Sequence, residues 1–298
     1  MELITILLST LLGVAATGGV VVDTLAETAL RGQLAGAEDL QVRIDNVPNY
    51  QLANGRIEHT LIAARGVETR QLPGLRIDSI DLETDPVDVD LGRLRRGELV
   101  LDRPAQAALR LRLKDDDLNA FFQSPLVQTW LNTLEFTLPG AAGAREQNRY
   151  GLANPSLRFL EGDRFRIQVD LQDRVTQETI PIEIDLGLSV LNGHRFALVD
   201  PTITVDGEET PPQLLESFVQ GAQEQLTLRR LEPLGVIARV INFKVRDNEL
   251  DMAIFARIEP TSPFLRRQVS TRQISTPQIS TRQISTRQTA QAAVTPLP

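Results

Sequence analysis

"LKDDDLNAFFQSP", Leu113–Pro125, sets three consecutive aspartates directly before an apolar, aromatic run. Upstream, "AQAALRLRL" places Ala105, Ala107, Leu109, Leu111 and Leu113 on one side and Gln106, Arg110 and Arg112 on the other, the period of two of a half-buried strand. From Leu118, apolar residues recur at 118, 121, 122, 126, 130 and 134, the spacing of a helix face with Trp130 on its buried side. Ser124-Pro125 interrupts that run, and a serine N-cap with proline at the first helical position restarts a second helix there. The stretch therefore marks a strand-to-helix change. Its aspartates have two readings, an acid or metal site and a helix start. Adjacent helical residues rotate by about 100°, so three neighbouring carboxylates fan out instead of converging on one ion. The helix-start reading is preferred: Asp115 or Asp116 as N-cap oxygen, the others at the positive end of the helix dipole.

The same alternation recurs on both sides. "LQVRIDN", "LRIDSIDLET" and "VDVDL" precede the helices, with Asn54-Gly55 as a hairpin signal. In "VDVDL", Asp88 and Asp90 take the solvent side while Val87, Val89 and Leu91 point inward. After them come hairpins turning at Gly162, at Asn192-Gly193 and at Asp247-Asn248. Between the last two, "PPQLLESFVQGAQEQL" is an amphipathic helix carrying Leu215, Phe218, Val219, Ala222 and Leu226 on one face. Strands grouped around a few helices and joined by hairpins predict an α+β fold with antiparallel sheet. "GAAGAREQN", 140–148, is the expected mobile loop.

The ends differ from this body. Residues 3–22, "LITILLSTLLGVAATGGVVV", form an uncharged run of about the 20 residues that span a bilayer. An uncleaved membrane anchor is the preferred reading, with a cleaved export signal or a buried helix as alternatives. "AETALRGQLAG" continues as helix to about Gly36. The last segment repeats with period five, "RRQVSTRQISTPQISTRQISTRQTA", 266–290, which fits neither a strand nor a helix face. The expected division is 1–22 anchor or signal, 23–259 body, and 260–298 disordered tail.

Composition narrows the function. The chain has no cysteine and two histidines, which removes thiolate chemistry and leaves little for histidine catalysis. His59 reads as a partly buried, hydrogen-bonded residue and His194 as part of a turn. The net charge is −8, and the five arginines of 260–298 leave −13 for residues 1–259, which argues against nucleic acid as a partner. No nucleophile elbow, phosphate-binding loop or dinucleotide fingerprint is present. "DPVDVDLGRLRRGE" misses a calcium loop by one residue in register.

"LETDPVDVDLGRLRRGELVL" followed by the strand-to-helix step ending in "DLNAFFQSP" resembles the LmeA-like phospholipid-binding proteins, a bacterial family, over roughly 25–259. The resemblance implies a tubular lipid-binding type of fold: a long curved antiparallel sheet wrapped around amphipathic helices, leaving an apolar cleft. It implies a non-enzymatic binder or carrier of phospholipid or another acyl-chain lipid at the cell envelope, membrane-associated and without cofactor or metal. The residues expected to line the cleft are Leu109, Leu111, Leu113, Phe121, Phe122, Trp130, Ile167, Val169, Phe218 and Val219. A packed core and a lipid groove have the same composition, so a scaffolding protein with a closed core and a partner-binding tail is the alternative.

Overall fold

A computed structural model describes residues 27–265 except 29, 33, 47–50, 52–53, 71, 96–99, 134–148 and 264. The expected anchor, the loop at 140–148 and the pentapeptide repeat lie outside the described residues.

Fourteen strands and four α-helices are described, and every strand pairing among them is antiparallel. Strands β1 (Leu34–Gly36), β2 (Asp39–Asp45), β4 (His59–Thr69), β5 (Arg76–Thr84), β7 (Ala105–Lys114), β13 (Val236–Arg246) and β14 (Glu249–Ile258) form the first sheet. Its order is β1-β4-β5-β7-β14-β13, with β2 also on β4. The second sheet runs β12-β11-β10-β9-β8, from β8 (Tyr150–Leu160), β9 (Arg164–Asp173), β10 (Thr179–Leu191), β11 (Arg195–Val205) and β12 (Glu208–Glu209). A small pair joins β3 (Arg56–Ile57) to β6 (Val87–Asp88). The helices are α1 (Leu91–Arg95), α2 (Asp115–Phe122), α3 (Pro125–Thr133) and α4 (Pro212–Gln225). The α+β class is as expected, but the strands divide between two main sheets where one long sheet was implied.

The core has three parts. One face of the first sheet buries Leu40, Val42, Ile62, Ala64, Ile80, Leu82 and Leu109. Ile57, Val87, Val89, Leu101, Val236, Ile258 and Leu265 form a second cluster. Phe159, Phe165, Leu186 and Val245 form a third, where the two sheets meet. Leu265 and Ser262 are buried, so the packed body continues at least to Leu265, beyond the boundary expected after Glu259.

Two long strands end their sheets, and each has its free backbone edge closed by polar side chains. On β8, the closing residues come from one stripe of α2 and its C-cap, at i, i+4 and i+8. Asp115 accepts the Phe159 N–H at 3.5 Å. The Asn119 side chain donates to the Leu157 carbonyl at 2.9 Å and accepts its N–H at 2.8 Å. Gln123 donates to the Pro155 carbonyl at 3.4 Å. On β13, the turns of the second sheet do the same work. Asp163 accepts the Val245 N–H at 2.7 Å on its carboxylate and donates its own N–H to the Val245 carbonyl at 3.4 Å. The Gly193 carbonyl accepts the Val240 N–H at 2.6 Å. Unpaired edges invite pairing with other chains, and these contacts also fix the second sheet against the first.

Several local expectations change. The N-cap of α2 is Lys114, with no side-chain cap; Asp115 instead accepts the N–H of Asp116 at 2.9 Å and is buried. Asp117 pairs with Arg76 at 2.9 Å. The N-terminal helix ends at the Gly32 turn, and Leu34–Gly36 pairs with β4, because a strand there covers an edge that a helix would leave open. Gly55 does not close a tight hairpin. It approaches Val89, whose N–H it accepts at 2.9 Å, and the chain from β2 to β4 takes a longer path through β3. Ser124 does cap α3, accepting the Val127 N–H at 3.4 Å.

Asn119→Ala removes both bonds to Leu157 and is expected to cost about 1–3 kcal/mol of unfolding free energy in urea titrations. Asp116→Asn, on an exposed neighbour, should stay within about 0.5 kcal/mol. Equal losses in the two variants would show that the edge contact contributes nothing.

Candidate functional site

The second sheet has one polar and one apolar face. Its polar face is laced by polar contacts: Arg166 pairs with Asp185 at 2.9 Å, Arg164 also bonds Asp185, and Gln168 donates to Glu183 at 2.7 Å. Burial works to raise the Asp185 pKa, but the two guanidiniums outweigh it and hold the carboxyl below its ordinary value.

The apolar face follows from register. In β10, Ile180, Ile182, Ile184, Leu186, Leu188 and Val190 occupy every second position. Ile182 lies opposite Val169 and Val205, Ile184 opposite Ile167 and Ile203, and Leu188 opposite Leu198. Leu157 and Leu152 of β8 extend the rows through Ile167 and Leu171. Only the end nearest the first sheet is fully covered, at Phe159, Phe165 and Leu186. Ile167, Val169, Leu171, Ile182, Ile184 and Ile203 are half-buried, and Ile180 and Val205 are exposed. The apolar surface therefore opens progressively toward the β9–β10 turn.

At its closed end this surface runs on into the first sheet. Leu113 packs against both the first and the third core clusters. Phe165 sits edge-on to Phe159, ring centroids 5.6 Å apart, and Phe243 edge-on to Phe196 at 5.5 Å. Phe165 and Phe243 complete the row at 6.4 Å. Edge-to-face rings pack well and hold the corner rigid.

The residues expected to line a cleft distribute as follows. Leu109 is buried in the first cluster; Leu111 and Leu113 are half-buried on the same face. Ile167 and Val169 lie on the open apolar face. Phe121 and Phe122 are half-buried on α2, 6.4 Å apart. Val219 is half-buried on α4, while the Phe218 side chain lies outside the described residues. Trp130 is not on a buried side: it is 56% exposed, and α3 buries Val127 and Leu131 instead. The helical phase resets at Ser124-Pro125, so spacing counted across that break points to the wrong face. The strongest apolar row, in β10, has a perfect period of two, yet as one strand among many it carries no mark in the sequence that sets it apart.

A second hollow, of about 530 Å³, lies on the opposite side of the first sheet over Leu61, Ala63, Ala108 and Ala253. Small side chains make it, but polar contacts consume its rim: the ion pairs Arg65–Asp81 at 2.8 Å and Arg43–Asp45 at 2.9 Å, and the His59–Glu83 hydrogen bond at 2.9 Å. Arg110 holds Asp251 bidentately at 2.9 and 2.6 Å and keeps that carboxyl below its usual range. Those groups have little left to offer a ligand. Among the described residues no group of three or more His, Cys, Asp or Glu side chains converges as a metal site, and no helix is long and apolar enough to cross a membrane.

At the open end, Asp173 anchors the β9–β10 turn. It bonds Arg149 and accepts the N–H groups of Val175 and Thr176 at 2.8 and 3.2 Å. The Arg149 bond, with those two N–H groups, lowers its pKa from 3.8 to about 2. A carboxyl held low in the folded state stabilises above the unfolded value and loses that contribution as pH falls through the folded one. The Tm advantage of wild type over Asp173→Asn should therefore be full above 3.8 and vanish as pH falls to about 2. A constant difference across that window would remove the assignment.

A sequence model described as LmeA-like phospholipid-binding matches residues 14–255. No curated protein and no solved structure matches the chain.

Proposed function

We propose that this chain, which belongs to the LmeA-like phospholipid-binding family, holds the acyl chains of a phospholipid against the half-covered apolar face of its second sheet. The observation that carries this reading is the burial gradient along β9 and β10. A face packed only as core is covered along its length, because leaving isoleucines in water forfeits about 25 cal/mol per Å² of apolar area. Here coverage stops after Phe159, Phe165 and Leu186, while the apolar rows continue to Ile180 and Val205.

Acyl chains suit such a surface. It is linear, apolar and lacks charged groups along its rows, so it offers area without demanding a particular headgroup. The function is binding, and by extension transfer between membranes, without a cofactor and without bond-making chemistry. The uncharged run at 3–22 supports a body tethered to the membrane of the cell envelope. Leu111, Leu113, Phe121, Phe122, Ile167, Val169 and Val219 serve as the lining in this reading, with Leu109 beneath it.

Full-length protein purified in detergent should carry co-extracted phospholipid detectable by mass spectrometry. Val169→Glu with Ile182→Glu places two carboxylates on opposed positions of the face and should abolish the bound lipid while circular dichroism and the unfolding transition remain cooperative. Folded wild-type protein that carries no lipid, and takes up none from vesicles, would defeat the proposal.

A further inference from the structure

Three separate segments bring exposed apolar side chains to the open end of that face. Leu126 and Trp130, one turn apart on α3, are 42% and 56% exposed. Leu72, in the β4–β5 connection, is 41% exposed, and Val175, at the tip of the β9–β10 turn, is 76% exposed. Two contacts place these segments side by side. A Cβ on Gly74 would sit 3.7 Å from that of Ser124, at the start of α3. Arg174 donates to the carbonyl of Asn132, at the end of α3, at 3.2 Å. Both loops therefore flank the helix, one at each end.

The helix between them is unusually free of polarity for an exposed element. No charged residue occurs between Asp117 and Glu135. Thr129 and Thr133, on the same exposed side, turn their hydroxyls back to donate to the Pro125 and Trp130 carbonyls at 2.7 and 2.6 Å. Two cations lie in the loops that flank it, Arg70 two residues before Leu72 and Arg174 next to Val175. Arg70 donates to the Leu34 carbonyl at 3.2 Å and Arg174 to Asn132, and neither guanidinium has a carboxylate partner among the described residues. The nearby acids are already engaged: Asp173 with Arg149, and Glu178 with the Thr176 hydroxyl. In a chain of net charge −8, two arginines left to carbonyls beside an uncharged, apolar tip form a local pattern opposite to the whole.

We propose that this tip, formed by Leu72, Leu126, Trp130 and Val175, docks on the surface of a phospholipid bilayer. The chemistry matches that surface and no other simple partner as well. Tryptophan partitions to the boundary between hydrocarbon and headgroups, aliphatic side chains enter the acyl region, and guanidiniums meet the phosphate oxygens just above it. Docking in this way brings the exposed end of the apolar face, at Ile180 and Leu171, to the membrane, so that an acyl chain passes from bilayer to sheet without crossing water. The inference rests on the lipid-binding reading above and adds where lipid is acquired.

Trp130 is the single tryptophan of the chain and reports on this tip directly. Full-length protein is reconstituted into phosphatidylcholine–phosphatidylglycerol vesicles with and without acyl-brominated lipid, and bound lipid is counted by mass spectrometry in parallel. The expected result is a blue-shifted Trp130 emission that brominated lipid quenches. In Leu126→Glu with Val175→Glu, which keeps the reporter, the shift and the quenching are lost while bound lipid is retained. Unquenched, acrylamide-accessible Trp130 in wild type that still carries lipid overturns the docking and leaves the binding function standing. Quenching that persists in the double variant overturns it too, because Trp130 then senses lipid elsewhere. So does shielding of Trp130 that grows with protein concentration in the absence of lipid, which assigns the tip to a second copy of the chain.

Discussion

The structure depends on how two sheet edges are closed. β8 and β13 would each present a row of free N–H and C=O groups, and each is answered by side chains and turns from elsewhere in the chain. Asp163 imitates a strand neighbour for Val245, offering a carboxylate oxygen and an N–H where a paired strand would offer a carbonyl and an N–H. Asn119 does the same for Leu157 with one amide group. Because these bonds reach from α2 to β8 and from the β8–β9 turn to β13, edge closure and the docking of the sheets are one event.

That arrangement explains where the apolar surface opens. Turns of the second sheet meet β13 at one end, so Phe159, Phe165 and Leu186 are covered there, and the strands project away from the contact. The farther a row lies from the junction, the less of the molecule remains to cover it. The aspartates that open α2 belong to this frame and not to a chemical site. Asp115 spends its oxygens on the N–H groups of Asp116 and Phe159, and Asp117 on Arg76. Ion pairs on the polar faces, such as Arg110–Asp251, hold charge away from the apolar rows without entering them.

Much of this was legible in the residues themselves. The strand at 105–114, the paired helices split at Ser124-Pro125, the hairpins at Gly162, Asn192-Gly193 and Asp247-Asn248, and the helix near 212–225 all announce themselves through period or turn chemistry. The family resemblance was legible in "LETDPVDVDLGRLRRGELVL" and "DLNAFFQSP". Of the residues expected to line a cleft, Leu111, Leu113, Ile167 and Val169 stand on the apolar faces where their strand parity puts them. Trp130 does not, because a helix that restarts after proline takes a new rotation set by what it packs against, here through Val127 and Leu131. The aromatic row Phe159–Phe165–Phe243–Phe196 was invisible, since its members are brought together only by the joining of two sheets.

The sequence by itself determined the alternation of each strand, the turns between neighbours and the apolar side of every hairpin. These are properties of residues a few positions apart, written in side-chain period and in the backbone freedom of glycine and asparagine. Tertiary structure alone decided that the strands split into two sheets, that Asp115 and Asp163 close edges instead of merely capping or turning, and that the apolar face of β9 and β10 is left partly open. Those outcomes turn on contacts between residues 44 and 82 positions apart, such as Asp115 with Phe159 and Asp163 with Val245. Alternation says which side of a strand is apolar; only the placement of the other elements says whether anything covers it.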